Sequence, residues 1–110
     1  MYDAVFARLR DVMLGAATGQ RIAIDEPGNL LLHTPRTDPK TGKPVWFGTV
    51  TTRKRYVAVH VIPLYDAPEL ADGLSPALAK RRQGKTCFNF TEADEPLFAE
   101  LAGLIGRAAA

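Results

Sequence analysis

The sequence predicts an α+β fold: a two-layer sandwich with a five-stranded, mainly antiparallel sheet and helices at the N- and C-terminal ends. Three observations lead there. Two runs rich in Val, Thr, Tyr, Phe and Trp, Val45–Thr52 and Tyr56–Ile62, flank the basic triplet Arg53-Lys54-Arg55 and read as a central antiparallel hairpin. Helical periodicity is strongest near the two ends of the chain. The strand-like runs follow one another without βαβ alternation, which favours an antiparallel over a parallel sheet. With 110 residues, 46% hydrophobic and 24% charged, the chain has the composition and size of a single globular domain, 1–110.

Taken in order, Val5, Leu9, Val12 and Ala16 recur at helical spacing, with Phe6 and Met13 widening the stripe, so Asp3–Ala17 is an amphipathic helix. Gly19 suits the left-handed residue that follows a helix. Arg21–Asp25 is a short strand with Ile22 and Ile24 on one side. Glu26-Pro27-Gly28-Asn29 has type II turn chemistry, and Leu30–Thr34 returns as its partner. Pro35–Pro44, with three prolines and one glycine, reads as a basic loop.

The central hairpin follows. Its tip lacks Gly and Asn, which favours a connection longer than two residues. Val57, Val59 and Val61 form its apolar face, while Tyr56, Ala58, His60 and Ile62 share the other. Whether Trp46 or Phe47 points inward depends on a register the sequence leaves open. Pro63 ends the second strand, since proline cannot donate to a ladder.

Pro68–Ala71 has the content of one helical turn. Ser75-Pro76 signals the start of a helix, Pro76–Gln83, that stops at Gly84 with Lys80, Arg81 and Arg82 in its last turn. Lys85–Phe90 alternates polar and apolar residues as a fifth strand. Thr91–Asp94 offers caps, with Pro96 arguing for a start near Asp94. Leu97, Phe98, Leu101, Leu104 and Ile105 line a last amphipathic helix to about Ala108, which completes the order α-β-β-β-β-α-β-α.

Charge and cysteine content narrow the function classes. Fourteen Lys and Arg against twelve Asp and Glu leave a formal charge of +2, too small to imply nucleic acid or an anionic membrane. One cysteine, Cys87, excludes an internal disulfide and fits a reducing cytoplasm. No secretory signal and no membrane span is expected.

No catalytic constellation stands out. HExxH, paired cysteines and GxSxG are absent, Ser75 is a helix cap, and no cofactor or metal is expected. Lys85 beside Cys87 would lower the thiol pKa if it lay close, but a buried, inert cysteine is the simpler reading. Lys80–Lys85 and Arg53–Arg55 are the densest positive charge and read first as a solvated helix end and a hairpin tip.

The expected function is therefore binding. The candidate ligand-binding residues are Trp46, His60, Tyr65, Arg82 and Lys85, on a concave sheet face where Gly48 would let a ligand approach the backbone. The partner would be a small anionic molecule or a protein, a second copy of the chain included.

Three strings, Gly42–Gly48 (GKPVWFG), Tyr56–Pro63 (YVAVHVIP) and Gly84–Phe90 (GKTCFNF), followed by an apolar helix, resemble the YdhG-like domain of unknown function over about Gly42–Arg107. The resemblance implies a compact α+β sandwich with helices on one side of an antiparallel sheet. Some members are described as similar to frataxin-type intracellular iron chaperones. That likeness implies the alternative of metal carriage, with Glu92, Asp94 and Glu95 as the residues involved. The Tyr-Gly-Met-Pro string often seen ahead of the GKP segment is replaced here by Leu31–Pro35.

Overall fold

A computed structural model describes residues 2–110. The chain runs through α1 (Asp3–Ala16), β1 (Arg21–Glu26), β2 (Asn29–Thr37), β3 (Pro44–Thr52), β4 (Val57–Val61), two 3-10 turns (Ile62–Tyr65 and Pro68–Ala71), α2 (Pro76–Ala79), β5 (Arg82–Gln83), β6 (Cys87–Phe90) and α3 (Glu95–Ala109). Among the described residues, the strands form one six-stranded antiparallel sheet in the order β1-β2-β3-β4-β6-β5. The α+β class and the terminal helices agree with the sequence. The strand number does not: six replace the expected five. No described helix is long and apolar enough to cross a membrane.

The sixth strand comes from the segment read as the end of a helix. That helix stops at Ala79 rather than Gln83, so Arg81 and Arg82 are not in its last turn. Ser75 caps it as expected, accepting from Leu78 N–H at 3.2 Å. Beyond it the chain gains ladder bonds with β6, where Arg82 pairs with Phe88, Gln83 pairs with Cys87, and Asn89 N–H donates to Arg81 C=O at 2.9 Å. Sheet pairing outweighs helix propensity, and Gly84 at φ +66° makes the reversal. Likewise, Pro35–Thr37 belongs to β2, and only Asp38–Lys43 remains as the loop ahead of β3.

Helices α1 and α3 cover one face of the sheet. Leu9 and Met13 from α1, and Phe98, Leu101 and Leu104 from α3, meet Leu30, Val50, Val59 and Phe88 beneath them. Each fully buried side chain of this size contributes about 1.5–3 kcal/mol relative to exposure. Val57, Val59 and Val61 all lie in this core. Arg8 donates to Glu95 at 2.9 Å across the helix pair, and Arg10 donates to Asp25 at 2.8 Å, tying the exposed edge strand β1 to α1.

Two β-bulges decide which side chains reach the other face. In β1 the register slips between Ile22 and Ile24, so Ile22 pairs with Leu32 of the core side and Ile24 with Leu31 of the open side. The two isoleucines therefore do not share a face. In β3, Leu32 pairs with Gly48 but His33 with Trp46, which leaves Phe47 as the extra residue. Phe47 is buried at 1% exposure and Trp46 stands out at 51%. This resolves the open register.

Candidate ligand groove on the open sheet face

The sheet face away from the helices carries the side chains that alternate with the core. Directly opposite residues in an antiparallel pair share a face, so Leu31, Thr49, His60 and Cys87 form one row across β2, β3, β4 and β6. Asn29, Thr51, Ala58 and Asn89 form the next. Between them and the exposed Trp46 lies a groove of about 350 Å³, lined by Ile24, Asn29, Leu31, Trp46, Thr49, Thr51, Arg53, His60 and Ile62. That volume falls at the lower end of small-molecule sites.

The groove has an apolar wall and a polar end. Leu31 is nearly buried, Ile24 and Ile62 add aliphatic surface, and the Trp46 indole lies near-parallel to His33, with centroids 6.5 Å apart and 24° between planes. Polar groups come from Thr49, Thr51, Asn29, His60 and Arg53. Arg53 opens the hairpin tip, where its backbone N–H donates to Tyr56 C=O at 2.7 Å, and its guanidinium has no carboxylate partner among the described residues.

His60 sits half-buried with Nδ1 3.2 Å from Thr86 Oγ1. Burial, with a smaller contribution from the positive charge of Arg53, holds its pKa below the usual histidine value, so the ring stays neutral near pH 7. Above the unfolded value of about 6.5 this has no effect on stability. As pH falls through that value toward the lowered folded one, the unfolded chain takes up a proton that the folded chain refuses, and stability drops. The measurable consequence is a fall in urea midpoint from pH 7 to pH 5 that is smaller in His60→Gln than in the natural protein. Equal falls would mean that burial of His60 does not set its titration.

The structure brings Trp46 and His60 into one groove, and it leaves Tyr65, Arg82 and Lys85 outside it. Tyr65 lies on the 3-10 turn after β4 and is 61% exposed. Arg82 and Lys85 belong to the far edge, and β5 is two strands beyond β4, about 10 Å away at ordinary strand spacing. The Arg82 guanidinium donates to Lys85 C=O at 2.7 Å and closes the β5–β6 turn. The basic residue of the groove is Arg53 instead.

Two further readings change. Gly48 does not open the backbone to a ligand: it faces α1, where a Cβ would lie 2.9 Å from Met13 Cε and 2.8 Å from His60 C=O. The thiol of Cys87 is raised by burial, with Arg53 acting weakly the other way and no contribution from Lys85. It donates to Asn89 Oδ1 at 3.1 Å. A raised thiol pKa lowers the thiolate fraction and so its nucleophilicity.

Of the acidic residues that metal carriage would use, Asp94 and Glu95 are each engaged elsewhere, as is their helix neighbour Glu100, while Glu92 is exposed. Asp94 caps α3 by accepting from Leu97 N–H at 3.2 Å, Glu95 accepts from Arg8, and Glu100 accepts from Ser75 Oγ at 2.6 Å. These bonds hold the Glu95 and Glu100 carboxyls below their usual pKa. Among the described residues, no group of three or more His, Cys, Asp or Glu comes together.

Sequence reasoning had no access to Thr49, Thr51 and Leu31 as groove residues. The signal is the alternation within β3, but it becomes readable only once Thr49 is known to face His60. Comparison with family models, with curated proteins and with solved structures finds no match to this chain.

Proposed function

We propose that this chain is a small binding module that takes an organic anion in the groove on its open sheet face. One observation carries the reading: Arg53, a cation without an ion-pair partner among the described residues, borders a groove whose walls are otherwise apolar or neutral. A lone guanidinium beside low-dielectric walls attracts negative charge and presents paired N–H donors to a carboxylate. His60, held neutral, adds a hydrogen-bonding group without a second charge.

Metal carriage through the acidic edge has less support, because Asp94 and Glu95 already serve as a helix cap and an ion-pair partner. The YdhG-like strings in Gly42–Arg107 favour membership in that group. The single cysteine, Cys87, is free, which accords with work in a reducing cytoplasm.

The test is thermal. Benzoate at 10–100 times its dissociation constant is expected to raise the melting temperature through mass action, by an amount equivalent to about 1.4–2.7 kcal/mol. Benzylamine is expected to have no such effect, and Arg53→Met to lose the benzoate response. Equal responses to benzoate and benzylamine, or an undiminished response in Arg53→Met, would overturn the proposal.

A further inference from the structure

The chemistry of the groove narrows the anion, and this step rests on the binding role just proposed. Among the described lining residues only Arg53 carries formal charge, and no carboxylate lines the cavity. A phosphate dianion would meet one cation where it is best met by several. A single carboxylate matches that one guanidinium in charge and in planar, bidentate geometry.

The rest of the ligand must suit the walls. Trp46 presents a broad π surface with the His33 ring lying alongside at 24°, and Leu31 and Ile24 supply aliphatic surface from β2 and β1. A flat indole wall favours a second flat ring over a puckered one of the same size, because offset stacking adds to the area buried.

We infer that the groove takes a planar aromatic monocarboxylate, with the carboxylate on Arg53 and the ring against Trp46. Thr49 and Thr51, on the same face between them, are placed to accept or donate hydrogen bonds to a ring substituent.

Trp46 is the sole tryptophan, so its indole N–H gives a single, assigned resonance inside the site. The experiment titrates that resonance in the full chain with trans-cinnamate, cyclohexanecarboxylate, inorganic phosphate and a peptide ending in an apolar residue with a free carboxylate. Saturable movement with cinnamate is expected at a dissociation constant on the order of 1 mM or tighter. Cyclohexanecarboxylate should bind about 3- to 10-fold more weakly, from the loss of stacking, and phosphate should not move the peak.

Arg53→Met, checked for unchanged amide dispersion, should lose saturation with cinnamate. Should cyclohexanecarboxylate bind as well as cinnamate, with the Arg53 dependence kept, the aromatic assignment falls and the anion-binding role stands. Tighter binding of the peptide than of cinnamate overturns the small-molecule assignment in favour of a protein C-terminus. Failure of every anion overturns both this inference and the role beneath it.

Discussion

Gly48→Ala is expected to destabilise the fold by about 3 kcal/mol, at the upper end for added volume in a packed core. The reason is local. A Cβ at Gly48 would stand 2.8 Å from the backbone oxygen of His60 and 2.9 Å from Met13 Cε. The methionine tip is flexible and can move aside. The carbonyl belongs to β4, which pairs with β3 at this point through Gly48 and Val61, so relief there requires the strands to separate.

Gly48→Val should cost more still. Denaturant unfolding measures both, and combining Gly48→Ala with Met13→Ala divides the clash: the pair should recover the part due to methionine and leave the part due to the carbonyl. A Gly48→Ala protein within 0.5 kcal/mol of the natural one would show that α1 and β4 do not approach β3 this closely.

Phe98→Ala is expected to cost about 3–5 kcal/mol, from lost burial together with the cavity left behind. Phe98 is 1% exposed and meets Phe90 edge-to-face, with centroids 5.1 Å apart and planes at 85°. The pair joins α3 to β6. Domains of this kind are stable by about 5–15 kcal/mol, so the loss is a large share of the whole. A double-mutant cycle with Phe90→Leu should find a coupling of about 0.5–1.5 kcal/mol for the edge-to-face pair. Additive losses would mean the two rings act only as separate buried surfaces.

The elements that could be read from sequence are those whose burial follows a simple period. In the α1 stripe Val5, Leu9, Phe6 and Met13 reach the core while Val12 and Ala16 are only partly buried, and the stripe of Leu97, Leu101 and Leu104 and the alternation of Val57, Val59 and Val61 reach the core as their spacing predicts. What escaped reading breaks a period. The bulge at Phe47 places Phe47 and the neighbouring Gly48 on the core side of β3 and turns Trp46 to the open face. The slip between Ile22 and Ile24 does the same to β1. Neither bulge leaves a mark in a single sequence, because an extra residue in a strand looks like one more residue of strand.

The candidate site was legible to the same extent. His60 could be placed because it alternates with Val59 and Val61. Trp46 stands out in the sequence as an aromatic beside a glycine, but the glycine serves Met13 on the opposite face. Arg82 and Lys85 stand out in the sequence by charge density. Pairing of Arg82–Gln83 with β6 carries them to the far edge, a consequence of strand order that local composition does not contain. Arg53 enters the groove because the tip Arg53–Tyr56 begins directly after the Thr52–Val57 pair, and that register depends on everything before it.

The most direct measurement of the binding role is backbone amide mapping of the full chain titrated with benzoate. Shifts are expected to cluster at Leu31, Thr49, Thr51, Arg53 and His60, which are dispersed along the chain and adjacent across three strands, with the Trp46 indole moving alongside. Shifts concentrated at Lys80–Lys85, or spread over the surface without saturation, would contradict the account.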